Sequence, residues 1–205
     1  MKKFFTFLFF MSFIILIIGV WSFEKNDQVR QLTYKTLIGQ HHIPEEYVPI
    51  YQDAADEYDV PWELLASVHR VETIFSTMDP LISPVGAVGH FQFMPRTWVG
   101  WSYPGGDLGQ IEDEIDITDV ALIEEHRGYG VDATGNGVAD PFDMYDAAYS
   151  AARYLADHGA SDGEYEEALF AYNQSQEYVN QVMGYFNSYK QHYELVSLPF
   201  AYGKK

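Results

Sequence analysis

The stretch Val71–Trp98, VETIFSTMDPLISPVGAVGHFQFMPRTW, decides how this chain is read. It opens on a carboxylate, Glu72, at the end of a helical apolar pattern. It then passes through the loop Ser83-Pro84-Val85-Gly86-Ala87-Val88-Gly89. It closes on His90-Phe91-Gln92-Phe93-Met94-Pro95, an apolar run that carries a single amide. Upstream, Pro61 stands at a helix start and Leu64, Leu65, Val68 and Val71 mark the buried stripe. Glu72 lies four residues after Val68 and shares an edge with that stripe, where a carboxylate is costly to bury. Burial disfavours the charged form, so an acid held there keeps its proton at a higher pH than a free one. Gly86 and Gly89 permit the positive φ or close backbone approach that a site for a large ligand uses. Gln92, between two phenylalanines, must find partners in the backbone or offer its amide to a ligand. His69 and Glu72 are three apart, a spacing able to chelate, but no second pair accompanies them.

These residues resemble the core of the lytic murein transglycosylases, whose catalytic domain is goose-type-lysozyme-like. The likeness rests on Glu72, on Ser83-Pro84-x-Gly86-Ala87-x-Gly89, and on Phe91-Gln92-Phe93-Met94-Pro95 with Thr97-Trp98. A second block, Ala171-Tyr172-Asn173 followed by Tyr178-Val179-x-x-Val182, stands where the family has its Ala-Tyr-Asn segment. After Asn173 comes Gln174-Ser175-Gln176, closer to the branch with Asn-x-Ser than to the usual small residue and Gly. The likeness runs from Pro44 to Tyr189. It implies that Glu72 protonates the glycosidic oxygen between N-acetylmuramic acid and N-acetylglucosamine. The substrate's N-acetyl group then assists, and the deprotonated Glu72 activates the sugar's 6-hydroxyl to give a 1,6-anhydro end. It also implies that Ser83 and Gln92 contact the acetamido or peptide-bearing side of the sugar. Tyr172 would lie over Glu72 or the reacting ring, and Asn173 would support the cleft. Two other classes stay open: a lysozyme-type muramidase with a water held by an unidentified Asp, and a non-catalytic, membrane-tethered glycan-binding protein.

The segment Asp132-Ala133-Thr134-Gly135-Asn136-Gly137-Val138-Ala139-Asp140-Pro141-Phe142-Asp143 follows EF-hand spacing. Asp132, Thr134, Asn136, the Val138 carbonyl, Asp140 and Asp143 fall at ligand positions 1, 3, 5, 7, 9 and 12, with Gly137 at the bend. Thr134 and the short Asp143 depart from the pattern. One branch of the family has such a calcium loop, so the resemblance implies one structural Ca2+, with no cofactor needed for the chemistry. The other reading is a Gly/Asn turn whose Asp143 caps the next helix.

With 205 residues and 47% apolar content the chain suits one domain with a true core. A formal net charge of −18 and the lack of cysteine argue against nucleic acid, anionic lipid surfaces, disulfides and Cys-based zinc sites. The run Phe4–Phe23 is free of charge, follows Lys2-Lys3, and lacks a small-residue cleavage site. It reads as an uncleaved membrane anchor with the rest outside the cell membrane, or else as a removed signal. The expected architecture is mainly α: an anchor over 1–23, a linker or frayed helix over 24–43, a lysozyme-like domain over 44–193 and a tail over 194–205. Helices are expected from Pro44, from Pro61 to Glu72, from Pro95 through Trp101, from Met144 to His158, from Glu164 to Asn173, and over Tyr178–Tyr189. The partners implied are peptidoglycan strands and, through the anchor, a membrane.

Overall fold

A computed structural model describes residues 18–20, 25–111 and 113–197; the expected anchor over 1–23 and the last part of the tail lie largely outside the described residues. The fold is mainly helical. Its helices are α1 (Asp27–Leu37), α2 (Val48–Tyr58), α3 (Trp62–Thr73), α4 (Pro95–Val99), α5 (Val120–His126), α6 (Met144–Asp157), α7 (Tyr165–Tyr172) and α8 (Gln176–Gln191). Among the described residues no helix is long and apolar enough to cross a membrane.

Helix α3 is the central element. It starts after Pro61, and it buries Leu64, Leu65, Ala66, Ser67, Val68, His69, Arg70 and Thr73. Helices α2 and α8 pack on α3, α6 packs on α2, and α7 bridges α6 and α8. The close α2–α6 contact follows from small side chains: Ala147, Ala148, Ala151 and Ala152 are buried. Helix α6 begins where Asp143 accepts the N–H groups of Tyr145 and Asp146, and α8 begins where Ser175 accepts that of Tyr178.

The structure corrects several boundaries. Pro44 does not open a helix; it ends a short strand, β1 (His42–Pro44), and α2 starts at Val48 with a proline in its first turn. Strand β1 pairs in parallel with β2 (Glu194–Val196). The expected linker therefore holds α1 and β1, whose Tyr34, Ile38 and Ile43 join the core, and the start of the expected tail is the partner strand. Helix α4 stops at Val99, short of Trp101, because Gly100 takes a φ of 129°. The acidic segment after Ser102 contains α5, capped by Asp119.

Two loops are tied together beside α3. Gly89, at φ 79°, faces the Pro141 carbonyl so closely that a Cβ there would collide with it. His90 N–H donates to the same carbonyl at 3.2 Å. The Val71–Trp98 stretch is thus braced by the segment that carries the EF-hand spacing.

Candidate active site

Glu72 sits in the last turn of α3, half-buried. Removal from water pushes its carboxyl up to about 7, against a weaker opposing pull from the Tyr178 hydroxyl. That hydroxyl is itself buried and lies outside ideal hydrogen-bond geometry, so it steadies the carboxylate only weakly. Tyr172 stands on the same side: its ring is parallel to that of Tyr178, with centroids 6.3 Å apart. Burial first, then the Glu72 charge, holds both phenols well above their usual range, so both remain donors wherever Glu72 titrates.

Tyr172 is fixed from several directions. Its hydroxyl donates to the Phe91 carbonyl at 2.7 Å, and its ring meets Phe93 and Tyr154 edge-on. Tyr154 in turn donates to the Ala171 carbonyl at 2.9 Å. The motif Phe91–Phe93 and the Ala171–Tyr172 segment, 81 residues apart at Phe91 and Tyr172, are therefore locked to each other.

A cleft of about 310 Å³ opens beside Tyr172, lined by Gln92, Met94, Trp101, Asp107, Tyr154 and Gln174 among others. Glu72, Ser83 and Asn173 are not among its lining residues; Tyr172 and Gln92 are. Arg96 shapes the cleft rim. Its guanidinium donates to the carbonyls of Trp101, Gly105 and Gly106 and lies 4.6 Å from the Trp101 ring centre.

The other expected site residues have clear local roles. Ser83 Oγ accepts the Ala87 N–H at 2.9 Å, which closes the loop. Gln92 adopts a φ of 50° and donates its amide to the Gly89 carbonyl at 2.7 Å, so one end of that amide serves the backbone. Asn173 is exposed at the C-terminal end of α7. The cleft residues Trp101, Asp107, Leu108 and Tyr154 lie outside the motifs that carry the resemblance, and sequence did not mark them as site residues. Exposed apolar residues after a helix stop, Trp101 and Leu108, were the available signal.

His69 is no metal ligand here. It is buried, with hydrogen bonds to Tyr51 and Ser76. Among the described residues no group of three or more His, Asp or Glu is placed to hold a metal ion. In the 132–143 loop the acceptor oxygens turn to the loop's own backbone. Asp132 accepts from Asn136 and Gly137 N–H, Asn136 Oδ1 from Val138 N–H, and Asp140 from Phe142 N–H. Asp143 caps α6, as the turn-and-cap reading expects. The loop's centre is Asp146, which sequence reading passed over. It is buried and accepts from the N–H groups of Ala133 (2.9 Å), Thr134 (3.3 Å) and Asp140 (2.9 Å). The donors Asp132, Thr134, Asn136, Val138, Asp140 and Asp143 are hard oxygens suited in kind to calcium, with lone pairs remaining. They are not drawn round one point by carboxylates.

Compared with protein-family models, with curated proteins and with solved structures, the chain shows no match.

Proposed function

We propose that this chain is a peptidoglycan lytic transglycosylase that cleaves the β-1,4 bond between N-acetylmuramic acid and N-acetylglucosamine. The observation that carries the reading is the Glu72 carboxyl, pushed up to about 7 beside two tyrosines, one of which, Tyr172, lines the cleft. An acid of that strength is present in both its protonated and its ionised form near neutral pH, which suits a group that acts first as acid and then as base. Glu72 protonates the glycosidic oxygen as the bond to the muramic carbon breaks, and an oxocarbenium-like centre develops there. The substrate's acetamido oxygen closes on that centre. The Glu72 carboxylate then takes the proton of the 6-hydroxyl, whose oxygen displaces the acetamido group and leaves a 1,6-anhydro end. Tyr172 lies over Glu72 or the reacting ring. Gln92, with its carbonyl end free of the Gly89 contact, and Ser83 meet the acetamido or peptide-bearing side, and Asn173 supports the cleft edge.

Asp107 at the cleft rim favours a second reading. A carboxylate there is a base for water, which would make the enzyme a muramidase and the lysozyme-like product a reducing end. Digestion of purified peptidoglycan followed by mass analysis separates the two, because anhydro ends weigh one water less. Glu72→Gln, which keeps size and removes the proton, abolishes either reaction; retained cleavage by that variant sinks both. Binding to sacculi without any cleavage by the unaltered chain leaves a tethered glycan-binding protein instead.

The same proposal places the domain outside the cell membrane, held by the uncharged run Phe4–Phe23. It includes one structural calcium ion on the 132–143 loop, which takes no part in the chemistry.

A further inference from the structure

A chain of short hydrogen bonds crosses the core beside Glu72. The Tyr51 hydroxyl meets His69 Nδ1 at 2.6 Å, and His69 Nε2 meets Ser76 Oγ at 2.6 Å. Ser76 Oγ meets His90 Nδ1 at 2.6 Å, and His90 Nε2 meets the Phe142 carbonyl at 2.9 Å. His69, Ser76 and His90 are all at most 2% exposed.

The far end sets the direction of every proton. The Phe142 carbonyl can only accept, so His90 Nε2 carries hydrogen. Burial holds both imidazoles below their usual range, which keeps them neutral. His90 Nδ1 is then a bare acceptor, and Ser76 must donate to it. A serine has one proton, so Ser76 accepts from His69 Nε2–H. His69 Nδ1 is then bare and accepts from Tyr51. One arrangement satisfies all four links.

Two routes lead from this chain to Glu72. The first is the backbone. Ile74, Phe75 and Ser76 follow α3 at φ 51°, 56° and 62°, three consecutive left-handed residues without a glycine. Such a turn is strained and persists only where its surroundings impose it. Ser76 imposes it from both sides, helped by Thr73 Oγ1, which accepts Ser76 N–H at 2.9 Å and donates to the His90 carbonyl at 3.0 Å. The second route is aromatic. His69 stacks on Phe91, centroids 5.0 Å apart, and the Phe91 carbonyl holds the Tyr172 hydroxyl.

We infer that His69 and His90, joined through Ser76, are positioning residues that fix the Glu72–Tyr172 pair and couple it to the 140–143 segment. None of the three touches the substrate. The role rests on the proposed chemistry at Glu72, and its test is separable from that chemistry.

Ser76→Ala breaks the chain at its middle. His90→Phe keeps bulk and removes both nitrogens, whereas His90→Gln keeps one acceptor and one donor. Carbon-13 NMR follows the Glu72 carboxyl in each, and cleavage of peptidoglycan gives kcat and KM. The expected result is that Ser76→Ala and His90→Phe lower the Glu72 midpoint from about 7. They also lower kcat by about tenfold to a hundredfold with little change in KM, the scale of a misplaced reacting group. His90→Gln restores both. Nitrogen-15 NMR of the unaltered chain shows both imidazoles with hydrogen on Nε2 alone. An Nδ1–H on either ring, or an unmoved Glu72 midpoint and kcat in a folded Ser76→Ala, overturns the inference. If His90→Phe fails to fold, Ser76→Ala carries the test alone. If the unaltered chain does not cleave peptidoglycan but the midpoint shifts as described, the transglycosylase reading fails and the positioning role stands.

Discussion

Glu72 and Asp146 are both carboxylates withdrawn from water, and they differ in what surrounds them. Asp146 is met by three backbone N–H groups that close the 132–143 loop over the start of α6. Burial raises its pKa, and those three N–H groups oppose the rise. Glu72 has one weakly placed tyrosine hydroxyl to set against its desolvation, and its pKa climbs to about 7. Neighbouring Asp132, whose oxygens receive the Gly137 and Asn136 N–H groups without deep burial, is shifted down. Burial raises both Glu72 and Asp146, and the number of donors aimed at each carboxylate sets how strongly that rise is opposed.

The strongest way to break this contrast is Glu72→Gln, for which a general acid predicts a loss of about 10²–10⁴ in the rate of peptidoglycan cleavage. In the unaltered chain the rate should also fall as pH rises through about 7, as the acid form is lost. A rate that holds steady to pH 9 would refute the assignment. Next in size is Asp146→Ala. It strips three N–H groups of their acceptor at a cost of about 2–4 kcal/mol, read as a lower Tm. Asp146→Asn, which keeps one acceptor oxygen, should cost less.

A third test joins stability to pH. Glu72 has a folded pKa of about 7, above its ordinary value. Its favourable contribution is complete below the unfolded value and disappears as pH rises through about 7. Glu72→Gln should therefore leave Tm nearly unchanged at pH 4 and raise it at pH 8, by an amount worth about 1–3 kcal/mol. A lower Tm at pH 8 would mean that the carboxylate is well satisfied after all. The smallest effect is expected from calcium. Millimolar Ca2+ at about ten times its Kd adds about 1.4 kcal/mol of stability, reversed by chelator and absent in Asp132→Ala. No shift in Tm would leave the loop a purely hydrogen-bonded turn.

Much of the helical core was legible because its signals are local. Pro61 and the stripe ending near Glu72 gave α3, and the helix expected from Met144 to His158 is α6. Asp143 read correctly as a cap because capping is decided within three residues. The β1–β2 pair was not legible. Each strand has three residues, and they are joined only after most of the chain has intervened, so no periodicity announces them. Pro44 was misread for the same reason: a proline suits a first helical position and a short edge strand equally well. In the site, Glu72 and Tyr172 were visible from motif order, and the structure brings them together. Asp146 was missed because its partners are backbone N–H groups, which carry no sequence letter. The His69–Ser76–His90 chain was missed because it depends on a left-handed turn that no glycine marks.

Arg70, two residues before Glu72 on α3, donates to the carbonyls of Ile38, Gly39 and His42 and to the Tyr189 hydroxyl. The segment that leads into the domain is thereby bolted to the very helix that carries the acid. On the proposed function, a tether ahead of Asp27 would reach the Glu72 helix through the carbonyls that Arg70 holds. Helix α1, with 11 residues, spans roughly 16 Å of the path between them.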